Sequence, residues 1–167
     1  LHVVGLFESD AEVASWADQS TFFTQNRRGN RFEPGDLKFE DANEDNFINY
    51  GKNTKDDPGD MKIIGNTNPR YSYGINLNAS WNGIGLSVFF QGVGKRDWYP
   101  SVNSGMFWGK YARPYSMMPK SQIGNQWTKE DPDSDAFWPK ISSYLATDKK
   151  GTLTKVPNDR FLVNAAY

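Results

Sequence analysis

From Tyr71 to Gln91 the chain alternates in character residue by residue. Tyr71, Tyr73, Ile75, Leu77, Ala79 and Trp81 are apolar, while Ser72, Gly74, Asn76, Asn78 and Ser80 between them are small or polar. After Asn82-Gly83 the alternation resumes, with Ile84, Leu86, Val88 and Phe90 on one face and Gly85, Ser87 and Gln91 on the other. Phe89 is the one break. Side chains of a strand point to opposite faces in turn, so the pattern predicts two strands with one greasy and one wet face. Asn-Gly suits the tight turn between them, because both central residues of a type I′ hairpin take positive φ. Each strand is about as long as a tilted bilayer crossing needs, roughly 9–11 residues. Tyr71, Tyr73 and Trp81 sit near the strand ends, where outer-membrane barrels carry aromatic girdles. A hairpin of a soluble sandwich would show the same alternation.

The rest of the chain is less periodic. Ser9-Asp10-Ala11-Glu12 matches a capping box, and Val13, Trp16 and Ala17 follow at helical spacing, which predicts a short helix from about Asp10 to Asp18. Thr21 to Arg31 reads as a polar, basic loop, and Gly35 to Phe39 leads into an acidic stretch from Glu40 to Asp60. Ile63-Ile64-Gly65 is short and apolar, and Asn68-Pro69 marks a turn before the hairpin. Val93 to Asp159 is a long polar segment holding Trp98, Trp108, Trp127 and Trp138 with repeated Pro and Gly. Such long connections are uncommon inside compact domains and are usually functional or disordered. A two-residue turn at one end and a long connection at the other is the asymmetry of outer-membrane barrels, which favours the barrel over the sandwich.

Composition narrows the classes. The 167 residues carry 19 basic and 20 acidic side chains and no cysteine. A near-neutral balance with no basic run gives no electrostatic footprint for nucleic acid. Aromatic content is 15% with a mean hydropathy of −0.73, which suits β-structure with aromatic-rich polar loops. Without cysteine there is no disulfide framework and no thiolate metal site. No apolar run is long enough for a membrane helix, and the first residues lack a signal-peptide pattern. Leu1 is not an initiator Met, and Phe161 to Tyr167 looks like a strand beginning, so the chain is expected to be a piece of something larger.

Candidate chemistry is sparse. Asp41-Ala42-Asn43-Glu44-Asp45-Asn46-Phe47-Ile48 follows the opening of a calcium loop, with oxygen-bearing side chains at positions 1, 3 and 5 and Ile at position 8. Asn46 replaces the usual Gly, Lys52 stands at position 12, and an acid returns only at Asp56, Asp57 and Asp60. A solvated acidic turn is the alternative. His2 is the only histidine, so neither a His metal site nor a Ser-His-Asp triad can be assembled within the chain. Glu130, Asp131, Asp133 and Asp135 read as a solvated loop before they read as a glycosidase pair. Trp98, Trp108 and Tyr111, with Tyr99, Phe107 and Tyr115, are candidates to stack on sugar rings or to pack the loops together.

A family resemblance gathers these signals. Gly35-Asp36-Leu37-Lys38-Phe39-Glu40-Asp41, Asn43, Asp45, Ile63-Ile64-Gly65-Asn66, Pro69-Arg70-Tyr71, Tyr73-Gly74, Phe90-Gln91-Gly92-Val93-Gly94 and Asp97-Trp98 run in the order seen in SusC/RagA-like TonB-dependent outer-membrane transporters. Ala136-Phe137-Trp138-Pro139-Lys140 and Asn158-Asp159-Arg160-Phe161-Leu162 continue it. The resemblance implies a mainly β chain, the C-terminal part of a transmembrane antiparallel β-barrel, with hairpin 71–92 and extracellular loops at about 20–70 and 93–159. It implies import of glycans or peptides across a Gram-negative outer membrane, with no reaction catalysed. The implied partners are a SusD-like surface lipoprotein, TonB acting through a plug, membrane lipid and the remaining barrel. It also implies calcium held by Asp41, Asn43, Asp45, the Phe47 carbonyl and Asp60. Trp98, Trp108 and Tyr111 are the expected ligand-facing aromatics. The competing expectation is a secreted calcium-dependent carbohydrate-binding β-module, in which the apolar hairpin face would lie buried against a second sheet.

Overall fold

The computed structural model describes residues 1–22, 32–112, 115–141 and 156–167. Most of the expected 21–31 loop and residues 142–155 of the long polar segment therefore lie outside the described residues. The described chain is mainly small antiparallel sheets with few, short helices; it contains three two-stranded sheets and no closed barrel. It divides into two compact units, Leu1–Ile64 with Pro100–Phe161 and Gly65–Tyr99 with Leu162–Tyr167.

In the first unit, β1 (Val3–Leu6) pairs antiparallel with β2 (Leu37–Phe39), with a bulge between Val3 and Gly5. Leu6, Phe7, Leu37 and Phe39 are buried along this pair and join Phe22, Phe32 and Ile48 in one core. The buried side chain of Gln19 completes the sheet. Its amide donates to the Leu37 carbonyl at 2.8 Å and its carbonyl accepts the Phe39 N–H at 3.0 Å, as a third strand would. Helix α1 (Asp10–Ser15) opens on the Ser9 cap, whose hydroxyl accepts the Glu12 N–H at 3.2 Å. The Glu12 carboxylate reaches one residue further back than a capping box requires, to the Glu8 N–H at 2.7 Å. The helix stops before the expected Asp18 because Trp16 turns extended, its indole donating to the Phe39 carbonyl at 2.9 Å beneath Lys38.

The long polar segment is not an open loop in its described parts. Helix α2 (Gly105–Trp108) and the turns around it enclose an aromatic core of Trp108, Tyr111, Trp138 and Phe161. Trp138 stacks on Tyr111 at 10° between planes, and Trp108 meets Phe161 edge-on at 5.1 Å. The Arg160 guanidinium ties this core to the 133–137 turn, donating to the carbonyls of Asp135, Ala136 and Phe137. Burial pushes the Arg160 pKa down, against the pull of Asp135, Asp133 and Asp159.

In the second unit β3 (Ser72–Trp81) and β4 (Ile84–Val93), ten residues each, pair in unbroken register from Ser72↔Val93 to Trp81↔Ile84. Asn82 and Gly83 both take positive φ, 46° and 83°, the two-residue turn expected from the sequence. Phe89 lays its ring against Gly74, the room its missing side chain leaves, which accommodates the one break in alternation. A second pair, β5 (Asp97–Trp98) with β6 (Val163–Asn164), brings the C-terminal residues beside the base of the hairpin. Every residue of β3 is exposed, and on the apolar face of β4 Leu86 is 62 % and Phe90 52 % exposed.

Candidate functional site

The acidic segment folds as a nest of side-chain-to-backbone hydrogen bonds. Asp41 accepts the N–H groups of Asp45 at 3.2 Å and Asn46 at 2.8 Å, and Asp45 accepts that of Phe47 at 2.7 Å. Asn43 accepts from the Asp45 N–H at 3.3 Å and donates to the Asp45 carboxylate at 2.9 Å. Asn46 takes φ 64°, the left-handed turn for which Gly is usual and which Asn tolerates. Ile48 is buried and pairs with Asp18 through its N–H, anchoring the end of the turn.

Asp60 has a different character. It is 1 % exposed, and its two oxygens accept the Ala42 N–H at 2.7 Å and the Asn49 N–H at 2.8 Å. Its own N–H donates to the Asn49 carbonyl at 3.1 Å. The expected closing ligand thus clamps both ends of the turn to the chain that returns from the 51–59 excursion. Gly51 and Gly59, both at positive φ, make that excursion possible because their backbones approach too closely for side chains. Among the described residues no group of three or more His, Cys, Asp or Glu side chains is gathered to hold a metal ion. The donors of the turn are oxygens throughout, the chemistry a hard cation takes, and a carboxylate oxygen that accepts one N–H keeps a second lone pair.

The three expected ligand-facing aromatics separate. Trp98 lies on β5 and is 42 % exposed. Trp108 is fully buried with its indole N–H on the Ser101 carbonyl at 2.9 Å, and Tyr111 is buried with its hydroxyl on the Pro139 carbonyl. Burial also pushes the Tyr111 hydroxyl pKa up. Trp108 and Tyr111 therefore serve packing, a correction to their expected place on a ligand surface. Each polar tip has a carbonyl partner, so both rings can be buried against the other aromatic side chains of the core.

The first unit also holds a cleft of about 670 Å³ lined by Glu8, Glu33, Gln126, Trp127, Lys129 and Lys140 among others. Lys140 pairs with Glu33 at 3.0 Å across it. Trp127 lies against the backbone of Gly35, where a Cβ would fall 2.4 Å from the ring, so it offers no open face for stacking. The acids at 131–135 shape local turns, Asp133 accepting the Asp135 N–H at 2.8 Å. No helix of the described residues is long and apolar enough to cross a membrane. Among known proteins, no family model matches this chain and no curated protein matches it.

Sequence reasoning missed Gln19, the backbone role of Asp60 and the Arg160 tie. Neither Gln19, between Asp18 and Ser20, nor Asp60, between Gly59 and Met61, is flanked by buried positions, so neither carried a local signal. Arg160 had none, since its partners are carbonyls that any residue carries.

Proposed function

We propose that β3 and β4 are neighbouring membrane strands of a β-barrel transporter resembling the SusC/RagA-like TonB-dependent receptors, in a Gram-negative outer membrane. The protein would import a glycan or peptide without catalysing a reaction. It would receive energy from TonB through a plug and work with a SusD-like lipoprotein at the outer surface. The observation that carries the reading is the hairpin's uncovered apolar face. Tyr73, Ile75, Leu77, Trp81, Ile84, Leu86 and Phe90 are each half-exposed or more on ordered ten-residue strands. Soluble monomers rarely leave apolar patches beyond roughly a few hundred Å² open to water, and an isolated two-stranded hairpin is marginal there. Lipid accepts such a face at no cost. The opposite face, with Asn76, Asn78, Ser80 and Ser87, suits a wet lumen. Calcium, on this reading, is a structural ion of the acidic turn, held by Asp41, Asn43, Asp45 and the Phe47 carbonyl with Asp60 as the closing group. The ion would stiffen an outward-facing loop and supply no chemistry of its own.

The test is refolding of the full chain into lipid vesicles with Leu77→Arg, Val88→Arg and Asn76→Arg. Arg at the apolar positions is expected to cost about 2–4 kcal/mol near the bilayer midplane, and Asn76→Arg much less. Equal costs at the three positions, or a monodisperse, cooperatively melting monomer in buffer without detergent, would instead favour the secreted binding module.

A further inference from the structure

The cleft of about 670 Å³ in the first unit has the ordinary size of a small-molecule site. Its charges are sorted by origin. Glu8 and Asp10 come from the turn into α1, while Lys129 comes from the stretch that also brings Gln126 and Trp127 to the lining. Glu33 and Lys140 already neutralise each other at 3.0 Å. Glu8, Asp10 and Lys129 are exposed and make no ion pair among the described residues. The cleft therefore offers free negative charge from one segment and free positive charge from another. Two buried groups add to this. Trp127 is 5 % exposed, and its indole N–H has no hydrogen-bond partner among the described residues; the same holds for the side-chain oxygen of Gln126. Buried polar atoms are rarely left so, and here a donor and an acceptor on neighbouring residues of one cleft are.

We propose that this cleft binds a short zwitterionic peptide, free at both ends. Its ammonium group lies with Glu8 and Asp10. Its carboxylate lies with Lys129 and accepts the Trp127 indole N–H once the side chains that cover that atom move aside. The Gln126 oxygen accepts a peptide N–H. An anion alone would meet Glu8 and Asp10 with no charge to match them, and a cation alone would meet Lys129 in the same way. A ligand that carries both charges matches both walls. An uncharged sugar would leave the free charges to water, and Trp127, set against Gly35, has no open face to stack on it. The inference deepens the importer reading by choosing peptide over glycan, and it rests on that reading for treating the ligand as cargo.

Isothermal titration calorimetry of the full chain in detergent micelles tests it, with the dipeptide Ala-Ala as the probe. N-acetyl-Ala-Ala, Ala-Ala amide and maltose serve as comparisons. Ala-Ala is expected to bind, and blocking either end to weaken binding by about tenfold or more, since each block removes a charge-assisted hydrogen bond. Lys129→Met should weaken Ala-Ala binding by about threefold and leave that of the amide unchanged. Glu8→Gln should weaken it by a similar factor and leave that of the acetylated form unchanged. Both residues are exposed and unpaired, so these variants keep the fold. The Trp127 indole N–H resonance is expected to move downfield as Ala-Ala saturates the cleft. The proposal is overturned if Ala-Ala does not bind at millimolar concentration, or if the blocked peptides or maltose bind as well. It is equally overturned if the Trp127 resonance stays in place at saturation, or if neither variant changes the affinity. Refolding into lipid vesicles separates the two ideas. Insertion without Ala-Ala binding removes the cleft alone, and binding without insertion removes the membrane reading and leaves the cleft standing.

Discussion

Replacing Asp60 by Asn keeps the shape of a buried side chain and changes one oxygen into an NH₂ group. In the wild type both oxygens accept backbone N–H groups, from Ala42 at 2.7 Å and Asn49 at 2.8 Å, with the side chain sealed from water. In D60N one of those N–H groups keeps an acceptor, and the other faces a donor. The variant loses one charge-assisted hydrogen bond to a part-buried N–H, so a loss of about 1.5–3 kcal/mol is expected. Asp45→Asn is the control. Asp45 is exposed and its bonds close a solvated turn, so D45N should cost below about 1 kcal/mol in the absence of calcium.

The assay is urea denaturation of the full chain followed by tryptophan fluorescence, with chelator and then with millimolar calcium. Chelator isolates the backbone role of Asp60. Calcium should add stability to the wild type in proportion to the logarithm of its concentration over the dissociation constant, and D45N should lose that increment while keeping its baseline. A D60N baseline within about 0.5 kcal/mol of D45N would refute the clamp derived from the hydrogen bonds. A wild type indifferent to calcium would remove the ion and leave the clamp standing.

Gly35→Ala should cost about 2–4 kcal/mol by thermal or urea unfolding, because its φ of 88° disfavours a side chain and the new methyl would meet Trp127 and Lys140 within 2.6 Å. Burial pushes the Glu12 carboxyl pKa up, yet the Lys38 hydrogen bond and the N–H groups of Glu8 and Ser9 outweigh it and hold the pKa below its ordinary 4.5. A depressed folded-state pKa adds stability above the ordinary value that is lost as pH falls through the folded one, so stability should fall below about pH 4.5, and Lys38→Met should flatten that part of the profile by less than about 1 kcal/mol. Trp108→Ala should cost about 3–5 kcal/mol of stability, since a fully buried ring leaves a cavity; a stable Trp108→Ala protein that had lost only ligand binding would return Trp108 to a binding surface.

The hairpin was legible because two signals of different origin agreed on it. Alternation fixed which residues share a face, and Asn82-Gly83 fixed the turn, so a single register satisfied both. The acidic turn was half legible. Side-chain spacing at 41, 43 and 45 correctly gave a tight turn, but nothing in that spacing shows that Asp60 also clamps the backbone amides of Ala42 and Asn49. The helix boundary failed for a related reason. Trp16 fits a helical face, but its indole gains a carbonyl on β2, a partner distant in sequence. The segment from Val93 to Asp159 lacked any period because its rings at 108, 111 and 138 pack together with Phe161 beyond it, a spacing that follows no single element. Long-range aromatic packing leaves no local pattern, and loops with that content read as surfaces when they are cores.

The two units treat apolar surface in opposite ways, and this difference bears on the setting each requires. In the first unit Trp108, Trp138, Phe161, Phe7 and Phe39 are almost wholly buried, and buried polar groups such as Gln19 and Asp60 have backbone partners. A full burial of one large apolar side chain contributes about 1.5–3 kcal/mol, so this unit has an apolar core of its own to draw on. In the second unit Ile75, Leu77, Ile84 and Leu86 are ordered on regular strands yet half-exposed or more, so the same contribution is missing at each of them. Their order comes from one hairpin ladder, which by itself is marginal in water. An apolar medium on the greasy face would restore the missing term, and the membrane barrel proposed above would supply it.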